Sequence, residues 1–538
     1  MMYTCCCPLC AGIAPSEAET QPANALNASL VRTISPAAPA NTIISNPVSG
    51  DNRIDPLLVD SSVRLNNSAA PGTPITVTYS FPARLPFAYS EDDAIGWRPF
   101  TAQQQSVARG LLDSLQQQTG ITFVEVTDTR LVGGTIRFSN NAQSGSAGYA
   151  YLANGNGSGT ALESDVFISN SYSASVTQGS YAWTTLVHEL GHALGLKHPG
   201  NYNGASPGSS SVIDNLLGVS EDTYYNTIMS YRDSAQGLQS ISFMPYDMLA
   251  LRYLYGTRAF ETGNNTYTYN DATGRLVSNI VDDGGTDTLD FSAVTVGVGV
   301  DLTPGGYSSV GKLRSGVGAL ANLTISLDAV IENVWGTAQA DVIYANSANN
   351  ILTGGSGDDT LDGSAGADAA VFSGPRARYS VTKTQVGQTV RDNAGTDGTD
   401  TLSSIERLFF SDSKLALDLD GHAGQTVKLI GAVFGKAAVR STGYVAEGLR
   451  LLDGGMSYED LGTAAINVTG NTKSTDVVTL LWFNLFGVTP TANQVAPYAT
   501  MLDKGMSTGA LAVMAAGTPE NLINIDLVGL TQTGVMYI

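Results

Sequence analysis

The residues best placed to do chemistry lie in one run, T-T-L-V-His188-Glu189-L-G-His192-A-L-Gly195-L-K-His198. At about 100° per residue, His188 and His192 fall roughly 40° apart on one helix face, one turn apart. That is the spacing two imidazoles need to hold one cation. Leu186, Leu190, Ala193 and Leu194 give the other face something to bury. Gly195 stands where the helix must stop and the chain reverse, a position that favours positive φ and hence glycine. The reversal predicts His198 as a third ligand. Three neutral imidazoles on tetrahedral Zn2+ leave one position open for water, the arrangement of a catalytic rather than a structural site. Glu189, next to the first ligand, can point at that water and take its proton. Three of the chain's four histidines fall in this one motif, which chance placement does not produce.

Two further stretches carry chemistry. Met229, in Asn226-Thr-Ile-Met229-Ser-Tyr231, follows His198 by 31 residues, and taken alone it reads as a methionine in an apolar turn of the core. Residues 336–371 hold a nine-residue repeat: GTAQADVIY, ANSANNILT, GGSGDDTLD, GSAGADAAV. Its sixth position is Asp341, Asn350, Asp359 and Asp368, and its eighth is Ile343, Leu352, Leu361 and Ala370. A buried apolar position every nine residues, with a Gly/Asp turn between, predicts a parallel β-roll. Turns on one side recur every second repeat, so 336–341 should face 354–359, and 345–350 should face 363–368. The first pair offers Asp341 and Asp359, two carboxylates for one hard cation such as Ca2+. The second offers Asn350 and Asp368, with less charge, and glycine carbonyls complete each shell.

The elements that must position these residues are legible in outline. Strands are expected at 76–81, 121–125, 135–138, 149–152 and 165–168, and helices at 102–118, 181–194 and 247–255. Sheet and helices over about 180 residues make an α+β or α/β domain. The tail from about 421 turns helical, at 427–439, 443–452 and 477–486, without a catalytic constellation. Domains are therefore expected at 1–70 (leader or pro-segment and linker, largely disordered), 71–256 (catalytic), 257–420 (repeat-bearing) and 421–538 (helical, with a possible export signal at its end).

Composition narrows the partners. Lys plus Arg is 27 against 48 Asp plus Glu, a net charge of −21, which repels phosphate backbones and anionic lipid and attracts cations. With 59 glycines beside 43% hydrophobic residues, the glycine excess reads as turn-rich β structure rather than disorder. All four cysteines precede residue 11, so no disulfide can hold the body together. One of their thiolates could silence the metal as a fourth ligand. The start lacks a basic n-region, and no apolar run of 18 residues exists to span a membrane.

Taken together, residues of about 73–375 resemble a serralysin, an RTX-containing secreted metzincin endopeptidase of bacteria. The resemblance rests on GYAYL (148–152), SDVFIS (164–169), HELGHALGLKHPG, TIMSYRD, YDMLALRYLYG (246–256), DDGGTDTLDFS (282–292), IENVWG (331–336) and the repeats. It implies a multidomain fold: an α+β metzincin zinc-protease domain, a parallel β-roll (RTX) domain and a mostly α-helical C-terminal domain. It implies zinc on His188, His192 and His198, Glu189 as general base, and Tyr231 as the residue that stabilises the oxyanion. It also implies structural roles for Gly195 and Met229. Tyr149, Ala150 and Tyr151 would form the edge strand that pairs with an extended peptide substrate. Asp282, Gly284, Gly285, Asp287 and Glu332 would join the repeat residues as calcium ligands, although TGNNT (262–266) has Asn where the family pattern has Asp. The implied partners are extracellular protein or peptide substrates and a type I secretion apparatus, with no nucleic acid, no membrane insertion and a monomeric chain. The implied place is extracellular or surface-associated in a bacterium. The rival reading is a non-catalytic calcium-binding surface or adhesion protein with a relic protease domain.

Overall fold

The computed structural model describes residues 49–538 except 59–63, 67–68, 130, 154–163, 201–215, 233 and 235. The four cysteines and most of the expected leader lie outside the described residues. The chain divides into two compact units, Met1–Ile331 and Glu332–Ile538.

The first unit is built on a sheet whose strands run in the order Ile121–Glu125, Ile75–Ser80, Ile136–Asn141, Val166–Ser169, Gly148–Ala150. The first four are parallel, and Gly148–Ala150 joins antiparallel at the edge. All six residues of Ile136–Asn141 are buried, as expected of a parallel strand covered on both faces. The helix Ala102–Gln118 begins at a capping box, in which Thr101 and Gln104 satisfy each other's backbone N–H. Its Ala108, Leu111, Leu112 and Leu115 are buried at helical spacing, each leucine contributing about 1.5–3 kcal/mol.

Two observations bear on how this unit is bounded. Residues 49–58 are not loose linker: Ile54, Leu57 and Leu58 are buried in the core. Lys197 N–H donates to Leu57 O at 2.7 Å, so this segment braces the chain just before His198. The first unit also runs past the expected boundary at 256, to Ile331. The reason is pairing across that boundary. Leu276–Ile280 runs parallel to Gln239–Ser240 on one side and to Leu323–Ile325 on the other. The buried Arg252 guanidinium is paired with Asp283 and Asp328.

In the second unit, three-residue strands alternate between two rows. One row holds Asn333–Trp335, Ile351–Thr353, Ala369–Val371 and Arg407–Phe409, all parallel. The other holds Val342–Tyr344, Thr360–Asp362 and Thr399–Ser403, also parallel. Each strand turns one apolar side chain inward. Val334, Leu352, Ala370 and Leu408 stack in one row, and Ile343, Leu361 and Leu402 in the other, all essentially without solvent contact. An antiparallel hairpin, Tyr379–Lys383 with Gln388–Asp392, interrupts the repetition before its last coil.

The tail is more helical than the spacing alone predicts. Helices run at His422–Phe434, Thr442–Asp453, Tyr458–Val468, Ser474–Phe486, Ala492–Asp503, Thr508–Ala516, Pro519–Asn524 and Leu527–Thr533. The chain then returns as a strand, Val535–Tyr537, paired antiparallel with Lys414–Ala416. Among the described residues no helix is long and apolar enough to cross a membrane.

Candidate metal centre

The helix Tyr181–Ala193 starts at Ser180, whose hydroxyl accepts from Trp183 N–H, and from Thr184 to Ala193 every residue is buried. It ends where Gly195 takes φ +103°, a left-handed conformation that a Cβ would oppose. Leu196 N–H then bonds back to Gly191 O, and the buried Tyr255 hydroxyl donates to Leu194 O at 2.7 Å. The reversed chain brings His198 over the helix.

The three imidazoles meet at one point. His198 Nε2 lies 3.1 Å from His188 Nε2 and 3.0 Å from His192 Nε2. His188 Nδ1 donates to Ile228 O and His192 Nδ1 to Leu196 O, both at 2.8 Å. A carbonyl only accepts, so the proton of each ring sits on Nδ1 and the Nε2 lone pair faces inward. Lone pairs facing one another repel unless a cation lies between them. Four-coordinate zinc with bonds of about 2.0–2.1 Å would set such nitrogens about 3.3 Å apart, within a few tenths of an ångström of this spacing. Burial holds the rings neutral: it lowers His188 to about 4 and His192 to about 3, and depresses His198 as well. Neutral imidazoles are the form that binds metal. Among the described residues these three form the one His/Cys/Asp/Glu group whose ligand atoms gather within 4.8 Å.

The surroundings fix this geometry. Met229 is fully buried, and its sulfur lies 2.7 Å from where a Cβ on Gly191 would stand, so helix and turn pack in contact only because position 191 is glycine. Tyr231 places its ring 4.2 Å from that of His198, centroid to centroid. Glu189 is 1% exposed. Its Cγ and Oε1 lie 2.9 and 3.1 Å from the position a Cβ on Gly148 would take. The edge strand therefore passes directly over the Glu189 carboxylate.

Tyr149 and Tyr151 are both tied down through their hydroxyls. Both hydroxyls donate to the buried Asp93 carboxylate, Tyr149 at 2.7 Å and Tyr151 at 3.0 Å. Tyr149 also stacks on Phe167 at 4.7 Å, and Ala150 is buried.

Asp93 and Asp247 escape a reading by motif. Asp247 is fully buried and accepts from Thr227 Oγ1 at 2.5 Å, Ile228 N at 2.8 Å and Met244 N at 2.9 Å. It thus holds the turn whose Ile228 carbonyl orients His188. Burial pushes its carboxyl up to about 7. Its sequence signal was local: Pro245 and Asp247 are the first and third residues of a helix, where a carboxylate caps.

The acidic residues expected to bind calcium fall into two groups. In the first unit, Asp282 is buried and accepts from Tyr267 Oη at 2.6 Å and Gly284 N at 2.8 Å. Asp287 accepts from Asn265 N at 2.7 Å. Gly284 and Gly285 have φ of +133° and +142°, and Gly285 sits against Gly263 O, so loop 282–287 lies on the 262–266 loop. In the second unit, Asp341 N–H donates to Asp359 Oδ1 at 2.8 Å and Asn350 N–H to Asp368 Oδ1 at 2.7 Å. Residues 18 apart thus face each other. Glu332 belongs to this second group: its carbonyl accepts from Asn350 Nδ2 at 2.9 Å. The other oxygens of Asp359 and Asp368 are buried without a hydrogen-bond partner, and burial raises both carboxyls to about 7. A hard divalent cation would satisfy such oxygens.

Comparison with known proteins bears on both units. Residues 89–242 match a model of the metallo-peptidase family M12, and residues 251–429 match the peptidase M10 serralysin C-terminal model. The chain is 34% identical over 308 residues to metallopeptidase AprA of Pseudomonas marginalis, covering 52% of this chain and 61% of that protein. It is 31% identical to a serralysin of Proteus mirabilis and 33% identical to serralysin C of Dickeya chrysanthemi, at the same coverage of each. The chain thus spans about three fifths of the length of these relatives.

Proposed function

We propose, from a chain similar in both matched regions to serralysin-type metalloproteases, that this protein is a secreted zinc-dependent endopeptidase acting on extended protein substrates. The observation that carries the reading is the meeting of three inward-facing Nε2 atoms next to Glu189, over which the edge strand Gly148–Ala150 passes. His188, His192 and His198 would hold zinc, which when bound polarises the scissile carbonyl and acidifies a water.

The chain's own residues do the rest. Glu189, in a buried setting, takes the proton of the attacking water and later delivers it to the leaving amine. Tyr231, packed on His198, donates its hydroxyl to the carbonyl oxygen as negative charge develops there. The backbone of Tyr149, Ala150 and Tyr151 pairs with the substrate main chain; with both tyrosine hydroxyls tied to Asp93, recognition rests on backbone and tolerates varied sequences. Met229 supports the ligands from below, and Gly195 turns His198 into place.

We read the two rows of parallel strands as a calcium-binding β-roll. Asp341 with Asp359, and Asn350 with Asp368, would hold Ca2+ between successive coils, and Asp282, Gly284, Gly285, Asp287 and Glu332 would serve further sites. Binding energy then becomes folding energy, which suits a chain exported unfolded by a type I apparatus and folded outside the cell as a monomer. The test is hydrolysis of unfolded casein by calcium-refolded protein. Activity lost on chelating zinc and restored by adding it back supports the reading; no activity with zinc bound refutes it.

A further inference from the structure

The last turn of the two-row region does not follow the nine-residue pattern, yet it repeats the geometry of the turns that do. Thr399–Ser403 joins Arg407–Phe409 through the short turn 403–406, of sequence Ser-Ser-Ile-Glu. Gly363 N–H donates to Ser403 O at 3.0 Å, and Arg407 N–H to Asp368 O at 2.9 Å, so this turn lies on loop 363–368. Asp368 N–H donates to Glu406 Oε2 at 2.8 Å. One coil earlier in the same column, Asn350 N–H makes the corresponding bond to Asp368 Oδ1. Glu406 therefore stands where a repeat carries its sixth-position carboxylate.

A cradle lies between the two turns. Ser404 adopts φ +50°, and its carbonyl oxygen is aimed at the place where Gly363 lacks a Cβ. Asp368 Oδ2 lies 2.7 Å from that same place. Asp368 is fully buried, and Oδ2 has no hydrogen-bond partner. The same pairing occurs inside the repeats, where the missing Cβ of Gly336 is bordered by Asp341 Oδ2 and Gly354 O. The adjacent Arg407 guanidinium is turned to Asp418 and Asp453.

We infer that loop 363–368 and turn 403–406 form a divalent-cation site outside the nine-residue repeats, with Asp368 Oδ2, the Ser404 carbonyl and the Glu406 carboxylate as ligands. The inference rests on the calcium reading above and extends it. The donors are all oxygens in an irregular loop shell, which favours Ca2+ over Mg2+. Filling the site would fasten the closing coil, and so couple calcium to the order of the strand that leads into the helical tail.

The test counts calcium bound to the refolded full-length chain after desalting. Glu406→Gln keeps an acceptor for Asp368 N–H but removes the charge, and should bind one calcium fewer than the unaltered chain. Gly363→Ala puts a methyl group into the cradle and should also lose one. Asp412→Asn, on an exposed turn, should lose none. Should either variant misfold by circular dichroism, hydrogen exchange of residues 402–409 in the unaltered chain decides: protection rising as calcium is titrated supports the site, and no rise overturns it. Variants that keep the full count overturn this site while leaving the other calcium sites standing. An unaltered chain that binds no calcium overturns both this site and the calcium reading.

Discussion

Asp247 touches no histidine, yet the structure makes it the support on which one ligand depends, and its removal has a calculable cost. Asp247→Ala leaves three buried donors, Thr227 Oγ1–H, Ile228 N–H and Met244 N–H, without their acceptor. At about 1–2 kcal/mol for each orphaned donor, the first unit should lose about 3–6 kcal/mol, a large part of a typical domain's stability. Asp247→Asn should cost about 1 kcal/mol: its amide oxygen can still serve both N–H groups, and its NH2 can donate to Thr227 Oγ1. Because Ile228 O fixes the His188 ring, the alanine variant should also bind zinc about 10–100-fold more weakly. Urea unfolding of the zinc-free chain, followed through the first unit, reads the stability, and competition with a chromophoric chelator reads the affinity. Alanine and asparagine variants of equal stability and unchanged zinc affinity would refute the reasoning.

Burial holds the Asp247 carboxyl near 7, above the ordinary value of 3.8. Its protonated form therefore contributes stability in full below about pH 4, where the unfolded chain is protonated as well, and this contribution is lost as pH rises through 7. The stability of the unaltered chain relative to Asp247→Asn should therefore fall between pH 4 and pH 7.5, as urea midpoints at both pH values would show. Gly148→Ala would bring a Cβ to 2.8 Å from Thr185 Cγ2 and 2.9 Å from Glu189 Cγ. Casein hydrolysis should drop at least about 10-fold, with zinc content unchanged by atomic emission. Arg252→Met strands Asp283, whose carboxylate has both oxygens on the guanidinium, and should cost about 3 kcal/mol, measured as a lower urea midpoint.

How far the sequence foretells this molecule depends on how local the governing physics is. The helix Tyr181–Ala193 and the place of its histidines are readable because ligand spacing, apolar face and terminating Gly195 lie within one 18-residue stretch. The helix Ala102–Gln118 has the expected ends because Thr101 and Gln104 mark its start three residues apart. Asp93 is hidden because its partners lie tens of residues away: Tyr149 and Tyr151 reach it across 56 and 58 positions. Asp247 is legible only as a carboxylate at a helix start, because its bonds to Thr227 and Ile228 cross 20 and 19 positions. The repeat was readable while coils followed one another at 18 residues. The inserted hairpin stretches that interval to 41 between Leu361 and Leu402, so the last coil falls out of phase in the sequence while staying in register in space. Residues 49–58 show no periodicity, and only the fold reveals that Ile54, Leu57 and Leu58 are core.

The central claim is that Glu189 acts beside a bound zinc. The measurement is casein hydrolysis by calcium-refolded, zinc-loaded protein, the unaltered chain beside Glu189→Ala, with zinc content determined for both. Turnover is expected in the unaltered chain, with full zinc occupancy in both and a loss of at least about 100-fold in the variant, since general-base catalysis contributes about 10²–10⁴-fold. Equal turnover at equal zinc content would contradict it.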